Sequence, residues 1–314
     1  MTICGVDISK DWLDVWLAPT ERHVRHANTA QGVAALAADC REAGVQLVVM
    51  EASGGYEQAA FLSLWQYGLP SAITNARAVR DFAKAMGHLE KTDRIDARMI
   101  AEYAVAKRIV SSPPPSEDQS KINALSARMR QIVGDITVQK QRLSAARDAA
   151  TRADLIDIIA LLTRQRKGAT AALAKLIHAD PLWHALDQTF RSVKGVADRT
   201  VATLLAELPE IGILSNKAIS KLVGLAPLAD DSGKRSGKRT TRGGRAAVRS
   251  ILFLVADIAR KHDPDLTNFR DRLLAQGKPK MVTRIALAHK LLVRLNAKAR
   301  ETRQAMQLSA CPAR

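Results

Sequence analysis

Four carboxylates in the N-terminal third of the chain stand where carboxylates need a reason. Asp7 closes the apolar run of ICGVDI, Glu51 closes VVME, and Asp93 and Asp96 lie three apart in KTDRIDARM, on neighbouring parts of one helical surface. Each alone has an ordinary use as a turn cap, a surface ion-pair partner, or a helix N-cap or first-turn acid. Gathered together they repel one another unless a cation joins them, and hard oxygen ligands select Mg²⁺ or Mn²⁺. Two such ions about 4 Å apart can activate a nucleophile and stabilise the leaving oxygen in phosphodiester chemistry. Asp7, Glu51, Asp93 and Asp96 are therefore candidate metal ligands and candidate catalytic residues.

A second kind of chemistry is written between Ser232 and Ser250. Seven basic residues, Lys234, Arg235, Lys238, Arg239, Arg242, Arg245 and Arg249, occur there with no acid, interleaved with Gly233, Gly237, Gly243 and Gly244. This pattern predicts a flexible cationic loop that runs into a helix and wraps nucleic-acid phosphates. Ser232 and Ser236, each followed by glycine, are the hydroxyls in reach of that charge. Serine is a weak nucleophile until a base or metal removes its proton, and phosphoryl transfer needs positive charge on the non-bridging oxygens. Ser250, inside an apolar helical run, reads as structural.

Composition agrees with a polyanionic partner. The 314 residues include 48 Lys and Arg against 31 Asp and Glu, a formal charge of +17, and such an excess repels itself unless it neutralises phosphates or anionic lipid. A hydrophobic content of 47% is enough for real cores, which excludes a disordered chain. Asp7, Lys10 and Asp11 interrupt any signal peptide, and Asp257 breaks the apolar run ILFLVADIA, so the expectation is a soluble, cytoplasmic, nucleoid-associated protein with no membrane partner. Cys4, Cys40 and Cys311 are odd in number and without paired spacing, which argues against a disulfide framework or a zinc site.

The elements that must position these residues follow from periodicity. Residues 2 to 28 read as a three-strand meander, followed by a helix from Thr29 to about Glu42, the strand QLVVMEA, a helix from Tyr56 to Tyr67, the strand PSAITN and a helix from about Ala76. Thr92 and Asp93 start a helix over DRIDARMIAEYAVAKR, and three prolines, Pro113 to Pro115, close an α/β domain over residues 1–112. Residues 113–190 then carry a heptad, Ile122, Leu125, Met129, Ile132, Ile136, Gln139, Leu143, Ala146 and Ala150, which predicts a coiled-coil or long helical hairpin, a dimerisation or spacer element. Residues 191–314 form a mostly helical domain. Gly195 and the apolar face of Val201, Leu204, Leu205 and Leu208, with a second helix ending at Gly224, resemble a helix-hairpin-helix, and further helices are expected at about 245 to 261 and 280 to 303.

GVDISKDWLDVWL, VVMEASGGYE and KTDRIDARMIAEY resemble the three signature blocks of the DEDD transposases of bacterial insertion sequences, the IS110 family. SVKGVADRTVATLLAEL and GLAPLADDSGKRSGKRTTRGGRAAVRSILF resemble that family's helix-hairpin-helix-like segment and serine-bearing transposase domain. The resemblance implies a RuvC-like, RNase H-like fold for the N-terminal domain, with Asp7, Glu51, Asp93 and Asp96 as the Mg²⁺-binding tetrad. It also implies a serine nucleophile, favouring Ser232 over Ser236 by position after Gly-Leu-Ala-Pro. The implied partners are donor and target DNA, a structured bridge RNA and further copies of the chain in a dimer or tetramer. Two other readings stand beside it: a metal-only, structure-specific endonuclease resembling a junction resolvase, and a non-enzymatic basic nucleic-acid-binding protein. An actin-like ATPase is disfavoured because GVDISK lacks glycines after Asp7.

Overall fold

The computed structural model describes residues 2–88, 90, 92–229, 231–232, 235–237 and 239–310. The chain divides into two compact units, Met1–Pro115 and Ser116–Arg314.

The first unit is built on a five-stranded mixed sheet. Strands β1 (Ile3–Ile8), β2 (Trp12–Leu17) and β3 (Arg22–Ala27) form the antiparallel meander that alternation predicts. After helix α1 (Ala30–Glu42), strand β4 (Leu47–Glu51) pairs in parallel with β1, and after α2 (Glu57–Gln66), β5 (Ser71–Thr74) pairs in parallel with β4. The strand order is β3-β2-β1-β4-β5. Helices α3 (Ala76–Ala85) and α4 (Asp93–Lys107) complete the unit.

Period-two alternation sorts the strand residues onto two faces. Cys4, Val6, Leu13, Val15, Val48 and Met50 pack with Val33, Leu36 and Cys40 of α1 and Phe61 and Leu64 of α2. Ile3, Leu47, Val49 and Ala72 pack on the other side with Val79 and Ala83 of α3 and Met99, Ile100 and Ala104 of α4. Gly5 lies on this second face, and a Cβ there would overlap the Ala97 carbonyl and sit 2.7 Å from the Ala101 nitrogen. The missing side chain thus lets α4 rest its backbone on β1. Thr92 caps α4 by accepting a hydrogen bond from the Ile95 N–H at 3.3 Å, as the sequence predicts.

The second unit is helical. Helix α5 (Glu117–Ala145) turns back at Ala146–Asp148 into α6 (Ala149–Ala179), an antiparallel hairpin in which the Arg128 guanidinium donates to the Gln165 amide oxygen across the pair. The heptad read as one seam through Ala150 therefore ends near Leu143. Asp148 caps α6 through the Thr151 N–H at 2.8 Å, and Arg152 closes the turn on the Leu143 and Ala146 carbonyls. Beyond it come α7 (Pro181–Arg191), α8 (Asp198–Glu207), α9 (Asn216–Val223), a two-stranded hairpin of β6 (Asp231–Ser232) and β7 (Arg235–Ser236), α10 (Ala246–Ala259), a 3₁₀ turn at Arg260–His262, α11 (Pro264–Ala275) and α12 (Lys280–Ala310).

Ile122 and Met129 of α5, Leu173 and Ile177 of α6, and Leu186 and Phe190 of α7 share one core with α8, α9, α10 and α12. Within it the fully buried Asn296 is satisfied on both sides of its amide: its oxygen accepts from the Gly212 N–H at 2.8 Å, and its nitrogen donates to the Leu214 carbonyl and the Asn216 side chain. Among the described residues no helix is long and apolar enough to cross a membrane.

Candidate active site

The strand registers place the acids of the first unit in one transverse row. Arg25 of β3 lies opposite Asp14 of β2, Asp14 opposite Asp7 of β1, and Glu51 of β4 opposite Thr74 of β5. The β1–β4 ladder runs to Val6 and Met50, so Asp7 and Glu51 are the next residues at the same level. By alternation Asp7, Asp14 and Glu51 all belong to the α4 face, the face that Gly5 leaves open to close approach. Asp96, in the first turn of α4, is nearly buried and lines with Glu51 an open pocket whose wall also includes Arg77 and Arg80 of α3. Its charge is favoured at the positive end of that helix.

Asp93 is directed differently. It is exposed and accepts a hydrogen bond from the Arg25 guanidinium at 2.8 Å, while the same guanidinium donates to both oxygens of buried Asp14, at 2.8 and 3.0 Å. These bonds, those of Asp14 first, raise the Arg25 pKa further. The structure thus brings Glu51 and Asp96 to one pocket at the level of Asp7, and leaves Asp93 on an arginine. Among the described residues no three His, Cys, Asp or Glu side chains are already gathered to hold an ion. The donors suit one chemically: Asp7, Glu51 and Asp96 supply only hard oxygens from one face. Gly54 and Gly55, both with positive φ, have no neighbour where a Cβ would project, leaving open space beyond Glu51.

That loop has its own organiser. Glu57, buried in the first turn of α2, accepts from the Ser53 N–H at 3.1 Å, the Ser53 hydroxyl at 3.2 Å and the Gly55 N–H at 2.9 Å. Burial alone would raise its pKa, yet hydrogen bonding to the charged form prevails and holds it below the ordinary value. Sequence reading passed over Glu57, as it did Asp14, Arg25, Arg77 and Arg80. The signals present were the Ser-x-x-x-Glu loop closure from Ser53 to Glu57 and the spacing of Arg77 and Arg80 on one helical face.

The candidate serines occupy the second unit's hairpin. The register sets Ser232 opposite Arg235 and Ser236 opposite Asp231, and the Leu228 N–H donates to the Thr240 carbonyl at the hairpin's base. Asp231 pins the fold-back by accepting from the Gly237 N–H at 3.0 Å and from Arg239 at 2.7 Å. Ser232 is exposed. A segment read as flexible loop is thus held in part by an acid one residue before the candidate nucleophile.

The basic residues differ in what they touch. Arg242 is exposed, and Lys234 and Lys238 lie outside the described residues. Arg245 grips Glu210 through both guanidinium nitrogens, one at 2.6 Å, and donates to the Glu207 carbonyl at 2.9 Å. Arg249 donates to the Val223 and Gly243 carbonyls, clamping the close contact of Gly224 with Gly243 and Gly244. These two guanidinium groups are engaged inside the unit.

Residues 4–151 match the DEDD transposase model of IS110, described as Transposase, and residues 187–271 match the Transposase IS116/IS110/IS902 family. The chain is 27% identical over 320 residues to the pilin gene-inverting proteins of Moraxella lacunata and Moraxella bovis, covering 96% of this chain and 97% of each of those. It is also 30% identical over 139 residues to an uncharacterised 43.6 kDa protein of insertion element IS110 from Streptomyces coelicolor, covering 44% of this chain and 33% of that one. With the acidic blocks, the basic hairpin and both family regions in order along one polypeptide, the chain belongs to the IS110 family of transposases.

Proposed function

We propose that the chain cuts and rejoins DNA through a serine-linked intermediate supported by a carboxylate-bound divalent cation. The observation that carries the reading is the meeting of Glu51 and Asp96 in one pocket, at the level of Asp7 near the end of β1. On this reading the first unit is an RNase H-like, RuvC-like domain, and Asp7, Glu51, Asp96 and, once released from Arg25, Asp93 hold Mg²⁺ or Mn²⁺. The bound cation supplies charge to a phosphate's non-bridging oxygens and lowers the pKa of an oxygen nucleophile. Arg77 and Arg80 line the same pocket and favour the approach of a DNA phosphate.

Ser232 is the nucleophile. Its Oγ forms a bond to phosphorus as the bond from phosphorus to the leaving DNA oxygen breaks, the serine proton is lost to a base, and the departing strand keeps a free hydroxyl. A DNA hydroxyl later attacks the phosphoserine, restores the phosphodiester and returns the serine oxygen, so bond energy is conserved without ATP. The hairpin register supports Ser232 by setting it opposite a cationic residue, Arg235. Arg235, Arg239 and Arg242, with Lys234 and Lys238, contact the nucleic-acid backbone.

The relatives named as pilin gene-inverting proteins match nearly end to end, which supports DNA rearrangement as the outcome, whether insertion of a mobile segment or inversion. Bridge-RNA guidance, a coiled-coil spacer over residues 113–190, a dimeric or tetrameric assembly and a nucleoid location follow from the family resemblance and belong to the same proposal.

Trapping with DNA under denaturing conditions tests the serine. Wild type and Ser236→Ala should leave a covalent protein–DNA adduct, while Ser232→Ala and Asp96→Asn should not. An undiminished adduct from Ser232→Ala would remove that residue as nucleophile, and cleavage by wild type without any adduct would favour the metal-only endonuclease.

A further inference from the structure

We propose that Arg25 is a positioning residue that keeps Asp93 as a displaceable metal ligand, docked on a guanidinium until a cation takes it. This rests on the metal-binding reading above. Arg25, Asp14 and Asp7 are cross-strand neighbours in one row of the sheet, so Asp14 is a fifth carboxylate immediately beside the candidate metal face. Left bare it would add a buried, uncompensated charge there. Arg25 answers it with a two-point contact, Nε to one oxygen at 2.8 Å and a terminal nitrogen to the other at 3.0 Å. His23 also reaches Asp14, with Nε2 at 3.2 Å.

The fork geometry then leaves a donor over. The terminal nitrogen that meets Asp14 also meets Asp93 at 2.8 Å, and Trp12 lies under the guanidinium at 5.8 Å. The two carboxylates are held unequally. The Asp14 side chain is 5% exposed and bound at two points, whereas that of Asp93 is 62% exposed and bound at one. When a cation competes, Asp93 is the partner that leaves, and Arg25 stays on Asp14. Arg25 thereby sets the cost of completing the ligand set without touching the ion or the DNA.

The test measures Mn²⁺ affinity of the full chain by electron paramagnetic resonance, with no DNA and no turnover. The variant is Asp14→Asn with Arg25→Gln, which removes one negative and one positive charge and leaves net charge unchanged. It should bind Mn²⁺ about two- to fivefold more tightly than wild type, the range expected for releasing an exposed ion pair. Adding Asp93→Asn should erase that gain. Equal or weaker binding by the double variant, or a gain that survives Asp93→Asn, overturns the proposal. Should the double variant fold poorly by circular dichroism, Arg25→Lys keeps the charge but gives up the fork, and carries the same expectation. Asp96→Asn separates the two levels: if it binds Mn²⁺ like wild type, the metal reading itself fails, whatever Arg25 does.

Discussion

The acids of the first unit and the serine of the second are held in opposite ways. Asp7, Asp14 and Glu51 are fixed at sheet positions by continuous ladders, with α4 pressed against them through Gly5. Ser232 instead sits on a strand two residues long, exposed, with Asp231 pinning the turn behind it. A cation site needs several oxygens at fixed separations, so it belongs on rigid elements, whereas a nucleophile has one atom to deliver. The arginines divide likewise. Arg245 and Arg249 fasten the base of the basic segment to the helical core, and Arg242 is exposed.

The sharpest way to break this contrast is Gly5→Val. A side chain there must displace the α4 backbone at Ala97 and Ala101, an overpacking cost of about 3 kcal/mol or more. Thermal unfolding should show the first unit melting early, and Mn²⁺ affinity should fall with it while the helical unit keeps its transition. An unchanged melt would mean that α4 is not seated by that contact.

Arg245→Met addresses the other side at a smaller expected cost, about 1–3 kcal/mol for losing hydrogen bonds to a charged partner. Burial pushes Glu210 up, and the Arg245 hydrogen bonds outweigh it, so its folded pKa lies below the ordinary 4.5. The pair's contribution is therefore full at neutral pH and is lost as pH falls through that lowered value. Denaturant melts from pH 7 downward should show wild type losing stability on acidification more steeply than Arg245→Met. Parallel curves would place the pair outside the folding equilibrium.

The smallest stability effect belongs to Asp231→Ala. Asp231 and Arg239 are both exposed, so the melt should move by less than about 0.5 kcal/mol. The yield of covalent adduct should nevertheless drop several-fold, because the turn carrying Ser232 loses the hydrogen bonds from the Gly237 N–H and Arg239. An adduct yield equal to wild type would show that hairpin geometry does not limit the serine.

What could be read from sequence was what is local. Thr92 announces α4 because capping is decided within four residues, and the spacing of Asp93 and Asp96 follows from the helix it starts. Alternation put Asp7 and Glu51 at strand ends, and both strands are where it placed them. The Arg25–Asp93 contact spans 68 positions and depends on the β2–β3 register, which no local pattern carries. The same limit hid the Arg245–Glu210 grip, so a run of seven cations read as one surface when two are spoken for internally. Two local signals went unread. Asp148 interrupts the heptad as a cap, and Asp263 followed by Pro264 opens α11, a helix absent from the sequence reading.

The turn at Ala146–Asp148 sends α6 back along α5, so the chain leaves the helical core and returns to it through a hairpin whose two helices are each about 45 Å long at 1.5 Å per residue, near ends in the core and tip outside it. The core takes Ile122, Met129, Leu173 and Ile177 from the near end, and no residue between Val138 and Lys167 is buried in it. Matched insertions or deletions of whole turns near the tip would therefore change the reach of the arm and spare the fold. Length at this point is an adjustable dimension of the molecule, free to drift with the spacing of whatever the arm must span.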